Sequence, residues 1–178
     1  FYQLLKYKNK NIFFLANKKI INQLKLYKIC KKIKFYNLDK VEISKNHKVF
    51  LKKNNLDKKF GDGFWLKTLE RFFFIESFCN KMKFKNIIHL ENDVLIFDNL
   101  EKYEKIFVKN FNIGMTLLNK NLCVPGFLFF KNYKNLNFLC EYIVSKYRFF
   151  FQKKNKNDMR IFAEMYNEFK NIKKNKIR

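Results

Sequence analysis

The 178-residue sequence predicts an α/β domain in which a mostly parallel central sheet is flanked by helices in the Rossmann-like manner. Three observations lead there. Apolar runs of strand length alternate with stretches whose apolar residues recur at helical spacing. The chain opens in the order strand, helix, strand. Residues 86–97, NIIHLENDVLIF, form the kind of near-continuous apolar run that a strand covered on both faces carries. Hydrophobic residues make up 48% of the chain, enough for one folded domain over residues 1–178 and too many for a disordered polymer. The chain opens on Phe1 and closes on a lysine-rich tail, so it reads as a piece of a longer polypeptide, cut at one or both ends.

Residues 11–16 (NIFFLA) predict the first strand, and Asn17 stands where a helix N-cap belongs. From 18 to 32, Ile20, Ile21, Leu24, Tyr27 and Cys30 share one helical face, and 33–38 predict a second short strand. Between 42 and 59 the pattern fades into an irregular lysine-rich region with one short strand at 49–51. Gly61-Asp62-Gly63 then punctuates the chain before a long helix, Phe64–Met82. That helix is apolar almost all round (Phe64, Trp65, Leu69, Phe72, Phe73, Ile75, Phe78), which predicts a central, buried position. The strand with the acidic triplet follows. Asn99 caps a helix through residue 107, 112–118 predict a strand, and Pro125-Gly126 leads into a strand at 127–130. Residues 135–147 predict a helix with Leu136, Leu139, Tyr142 and Ile143 on one stripe. A polar loop at 152–157 precedes a last helix from Asp158 to about 170, carrying Ile161, Phe162, Met165 and Phe169, and a low-complexity tail ends the chain.

The formal charge of +24 invites a nucleic-acid reading, but arginine is scarce: Arg71, Arg148, Arg160 and Arg178. A dedicated nucleic-acid surface concentrates arginine for bidentate contacts, so an evenly lysine-rich, solvated surface is the expectation. Such a surface still attracts anionic ligands, nucleotide diphosphates and acidic membranes among them. Cys30, Cys79, Cys123 and Cys140 are widely spaced among apolar neighbours and read as reduced core thiols of a non-oxidising compartment. No uninterrupted apolar stretch reaches membrane-spanning length.

Glu91-Asn92-Asp93 interrupts the apolar run, although carboxylates are among the last groups a chain buries. On an extended strand Glu91 and Asp93 face one side and Asn92 the other. Two oxygen donors on one face suit Mg²⁺ or Mn²⁺, and no cysteine or histidine cluster competes for a softer metal. His89 shares that face but lies earlier, where a hydrogen-bonded core histidine is expected. The alternative for the triplet is a solvated turn between two strands, against which the hydrophobic residues on both sides argue.

The stretch TLERFFFIESFCNKMKFKNIIHLENDVLIF, an arginine-bearing helix followed by apolar strand, acid-x-acid and apolar strand, resembles the GT-A glycosyltransferases, in particular their glycogenin and bacterial galactosyltransferase-like members. The resemblance extends over residues 11–169 in element order, and residues 68–97 carry its specific part. It implies the GT-A nucleotide-sugar-binding fold, a UDP-linked donor, Mn²⁺ or Mg²⁺ against the donor diphosphate, and retention of anomeric configuration. Arg71 matches the helix arginine that reaches the donor site. Gly126, in Pro125-Gly126-Phe127-Leu128-Phe129-Phe130, matches the segment lining the sugar pocket, and Asn157-Asp158 resembles the later acidic motif at the transferred sugar. The chain departs from the pattern in placing Glu91 where Asp is usual and Met159 where Gln is frequent, and it lacks the C-terminal histidine that completes the metal shell.

The roles implied are Asp93 as direct metal ligand and Glu91 as second or water-mediated ligand. Arg71 and Lys67 add positive charge at the diphosphate, Asn92 and Gly126 join the donor site, Asn17 meets the base, and Asp158 is the catalytic or acceptor-orienting acid. Plain structural roles stand beside these: an intrahelical pair with Glu70 or Glu76 for Arg71, a favourable first-turn charge for Asp158, and the N-cap for Asn17. The expected partners are the nucleotide sugar and a glycan, lipid or protein acceptor, not nucleic acid, in the cytoplasm with peripheral contact to a membrane. A nucleotidyltransferase would instead carry a glycine-rich phosphate loop where Asn17-Lys18-Lys19 stands, and an aspartyl phosphatase would carry its acids after the first strand. A nucleic-acid binder leaves the acidic triplet unexplained.

Overall fold

The computed structural model describes residues 1–54, 56, 59–149 and 157–170. A short helix, α1 (Tyr2–Lys6), precedes β1 (Phe13–Ala16), α2 (Lys18–Leu24) and β2 (Lys34–Asn37). β1 and β2 pair in parallel, Phe13 opposite Lys34 and Ala16 opposite Asn37, as the opening pattern predicts. The helical face expected over 18–32 is divided: α2 ends at Leu24, and a 3-10 turn occupies Lys28–Lys32.

The lysine-rich stretch after β2 is helical rather than irregular or extended. α3 (Lys45–Lys53) starts at Ser44, whose hydroxyl accepts the His47 N–H at 3.1 Å, and it buries His47 and Phe50. α4 (Phe64–Met82) has the predicted bounds. Gly61 and Gly63, at φ 50° and 78°, make the left-handed turns ahead of it. Its Phe73 stacks on Phe50 of α3 with centroids 4.8 Å apart, while Phe78 meets Phe13 and Tyr36 of the parallel sheet.

The remaining strands are β3 (Lys85–Leu90), β4 (Ile113–Asn119) and β5 (Leu122–Asn132). They form a second sheet in the order β3-β5-β4, with β5 antiparallel to both neighbours. The mostly parallel sheet expected from the sequence is thus confined to β1 and β2. Lys120-Asn121 is the physical reason, since a two-residue connection can join only antiparallel strands. β3 and β4 still run the same way, with a 3-10 turn and α5 (Glu104–Asn110) between them, so the strand–helix–strand pattern survives with β5 inserted. α6 (Tyr133–Phe149) and α7 (Asp158–Phe169) close the order. Phe162 of α7 packs edge-on to Phe72 of α4 at 5.0 Å. Phe50, Leu69, Phe72, Phe73, Phe130, Leu136, Ile143 and Phe162 belong to one buried cluster that includes residues of both halves of the chain.

Residues 94–97 are not a strand. Ile96 is buried while Leu95 and Phe97 are exposed, and the Ile96 N–H donates to Gln3 Oε1 at 2.9 Å instead of to a strand. All four cysteines are buried and free. Among the described residues no helix is long and apolar enough to cross a membrane. The predicted loop at 152–156 and the tail at 171–178 lie outside the described residues.

Candidate functional site

The acidic triplet sits at the carboxyl end of β3, in a turn and not within a strand. Glu91 extends the ladder by one bond, its N–H donating to Gly126 O at 2.9 Å, and the chain then turns, Val94 N–H donating back to Glu91 O at 3.2 Å. Asn92 and Asp93 occupy the turn and are exposed. The expected shared strand face of Glu91 and Asp93 is thereby corrected: the ladder stops where β5 bulges. On β4 the adjacent Met115 and Thr116 pair with Leu128 and Val124, so Pro125, Gly126 and Phe127 are extra residues in β5. Proline donates no ladder bond and is tolerated at such a bulge. Pro125-Gly126 therefore lies inside β5 and does not lead into it. A Cβ on Gly126 would stand 3.0 Å from Val94 Cγ2 and 3.4 Å from Glu91 Oε2, so the close approach of the acidic turn requires glycine here.

Arg71 faces this turn from α4. Its Nη2 contacts Glu91 Oε1 and also donates to Asp158 Oδ2 at 3.0 Å. The intrahelical alternatives fail, because Glu70 pairs with His47 at 2.9 Å and Glu76 accepts from Ser44 Oγ at 2.7 Å and Asn46 Nδ2 at 2.9 Å. Asp158 stands in the first turn of α7, where its charge is favoured, but it is not the cap. Asn157 is the cap of α7, accepting the Arg160 N–H at 3.2 Å, whereas Asp158 is 2% exposed and takes the Met159 N–H at 2.9 Å. Burial pushes the Asp158 carboxyl above its ordinary range, and Arg71 opposes that shift. The Cys123 thiol, pushed up to about 12 by burial, and the Tyr147 hydroxyl, also raised by burial, both feel the Asp158 charge.

His89 lies two residues before Glu91, packed edge-on to Phe72 at 5.3 Å. Burial and then the nearby Arg71 charge lower it to about 3, so it is neutral at pH 7. Its Nε2 and Arg71 Nε are buried without a hydrogen-bond partner among the described residues. Lys67, exposed, stands four residues before Arg71 and so on the same side of α4. Asn17 is engaged elsewhere: its side chain accepts the Ile20 N–H at 2.9 Å as the N-cap of α2.

Arg71, Glu91, Gly126 and Asp158 thus come together from four separate elements, with Asn92 and Asp93 on the adjoining turn. His47, Glu70 and Glu76, which hold α3 on α4, carried no motif that marked them. A surface depression lined by Asn86, Glu104, Lys105, Val108 and Lys109 lies at the opposite end of β3. No family model, curated protein or solved structure matches the chain.

For a divalent cation the available donors are hard carboxylate oxygens, Glu91 Oε2 and Asp93, and no cluster of three His, Cys, Asp or Glu exists among the described residues. Carboxylate oxygens are the donor type that Mg²⁺ or Mn²⁺ takes, one or two at a time, with phosphate oxygens and water completing the shell.

Proposed function

We propose that the protein is a metal-dependent glycosyltransferase that moves a sugar from a nucleoside-diphosphate donor, UDP-linked, to an acceptor. The observation that carries this reading is the single guanidinium of Arg71 held between Glu91 and the buried Asp158, beside an exposed acidic turn. Arg71, Glu91 and Asp158 all stand at positions of the resemblance to the GT-A pattern, Glu91 in place of its usual Asp. Spatial convergence of residues 87 apart, as Arg71 and Asp158 are, is not expected of solvated surface charges.

Glu91 and Asp93 are the residues that would hold the cation. When bound, it supplies Lewis-acid neutralisation of the charge that grows on a departing diphosphate. Arg71 and Lys67 add positive charge beside the same oxygens. Asp158, fixed by Arg71 and shielded from water, orients a hydroxyl of the transferred sugar or of the acceptor. Gly126 lets the acidic turn close against β5 and so sets Glu91 beside Arg71, and neutral His89 near Arg71 adds no competing positive charge.

Release of UDP from a panel of UDP-hexoses in the presence of Mn²⁺ tests the assignment. Slow metal-dependent release is expected with at least one hexose, falling by about a hundredfold in Asp158→Asn. Cleavage of a nucleoside triphosphate with no release from any UDP-hexose would move the protein to the nucleotidyltransferase class.

A further inference from the structure

The basic charge is not matched evenly by acids along the chain. Residues 1–38 hold ten lysines and no Asp or Glu; all 15 acids follow. Within this region the chain turns sharply between α2 and the 3-10 turn, and Leu26 and Tyr27 project there. Leu26 is 85% exposed, more than any other large apolar side chain among the described residues, and Tyr27 is 63% exposed. The turn is fixed: Leu26 N–H donates to Gln23 O at 3.3 Å, Tyr27 N–H to Leu24 O at 3.0 Å, and Cys30 N–H to Tyr27 O at 3.0 Å. Ile21, Cys30 and Ile33 are buried on its inner side and anchor it to the body. Lys25 and Lys28 flank the apolar pair along the chain, and they are exposed, as are Lys31 and Lys32.

We propose that this turn docks the protein onto an anionic lipid bilayer, Leu26 and Tyr27 entering the headgroup–acyl boundary within a collar of lysines. Charge complementarity selects the partner. A lysine cluster without acids is attracted to anionic headgroups, and an apolar side chain gains by leaving water for the acyl boundary. Tyrosine suits that boundary, with an apolar ring and a polar tip. A nucleic acid offers Leu26 no hydrocarbon, and the turn has no arginine for base or phosphate forks. The inference is independent of the glycosyltransferase reading.

Co-sedimentation with vesicles tests it, comparing pure phosphatidylcholine with equal parts phosphatidylcholine and phosphatidylserine in physiological salt. The protein should bind the anionic vesicles selectively, and the double variant Leu26→Ser/Tyr27→Ser should bind at least about tenfold more weakly. Both positions are exposed, so the variant keeps the wild-type circular dichroism. Tyr27→Trp provides a second readout, a blue-shifted emission on anionic vesicles beyond that of the wild type. Equal binding by wild type and double variant, or no emission shift, overturns the proposal. So does a loss of oligonucleotide binding, or of self-association, in the double variant that exceeds its loss of vesicle binding.

Discussion

Arg71 is the side chain on which the candidate site turns. Asp158 is 2% exposed, and removing its guanidinium partner leaves a buried carboxylate unpaired. Arg71→Ala should therefore lower unfolding stability by about 3–5 kcal/mol in denaturant titration, with Arg71→Lys recovering part of the loss. His89 gives a separate, pH-dependent signature. Its folded-state value lies near 3 against an ordinary 6.5, so between those limits the unfolded chain binds the extra proton. Stability should thus fall as pH drops from about 6.5 towards 3, by at most about 1.4 kcal/mol per pH unit, and His89→Leu should flatten that slope in melts across the window. The charged residues were individually legible as candidates because carboxylates beside apolar runs need a reason. Their pairing was not: Arg71 had two nearer acids on its own helix, and only the fold reveals that Glu70 and Glu76 are taken by α3.

Among the elements, α4 was legible because large apolar side chains recur along it and glycines stop the chain before it. α3 was missed because lysines dilute its pattern and only His47 and Phe50 are buried. Its cap and its contact with α4 are polar: Ser44 Oγ both accepts from His47 and donates to buried Glu76. Ser44→Ala should cost about 1–2 kcal/mol in a chemical melt, more than an exposed cap, since Glu76 also loses a donor. The strand expected beyond Asp93 failed for a different reason. The turn at Asn92-Asp93 takes the chain out of the ladder after Glu91, and Ile96 bonds to Gln3 instead of to a strand. Gly126→Ala probes that junction. The added methyl must displace Val94 or Glu91, and a cost of about 1–3 kcal/mol is expected, together with weakened nucleotide binding.

At the level of the whole molecule, a small parallel sheet and a three-stranded antiparallel sheet share one long helix, and the acidic turn, Arg71 and Asp158 meet beside it. The α/β class was legible from alternating strand and helix periods. The antiparallel insertion of β5 was not, because nothing in Lys120-Asn121 marks a hairpin as strongly as Asn-Gly or Asp-Gly would. The function proposed depends on a divalent cation joining this acidic turn to a nucleoside diphosphate. Calorimetric titration of UDP into the wild type and Asp93→Ala, with and without Mn²⁺, tests that dependence most directly. Asp93 is exposed, so the substitution should leave the fold intact. The account predicts UDP binding that requires Mn²⁺ and weakens at least about tenfold in the variant. Binding of equal strength with and without Mn²⁺, unchanged by Asp93→Ala, would contradict it.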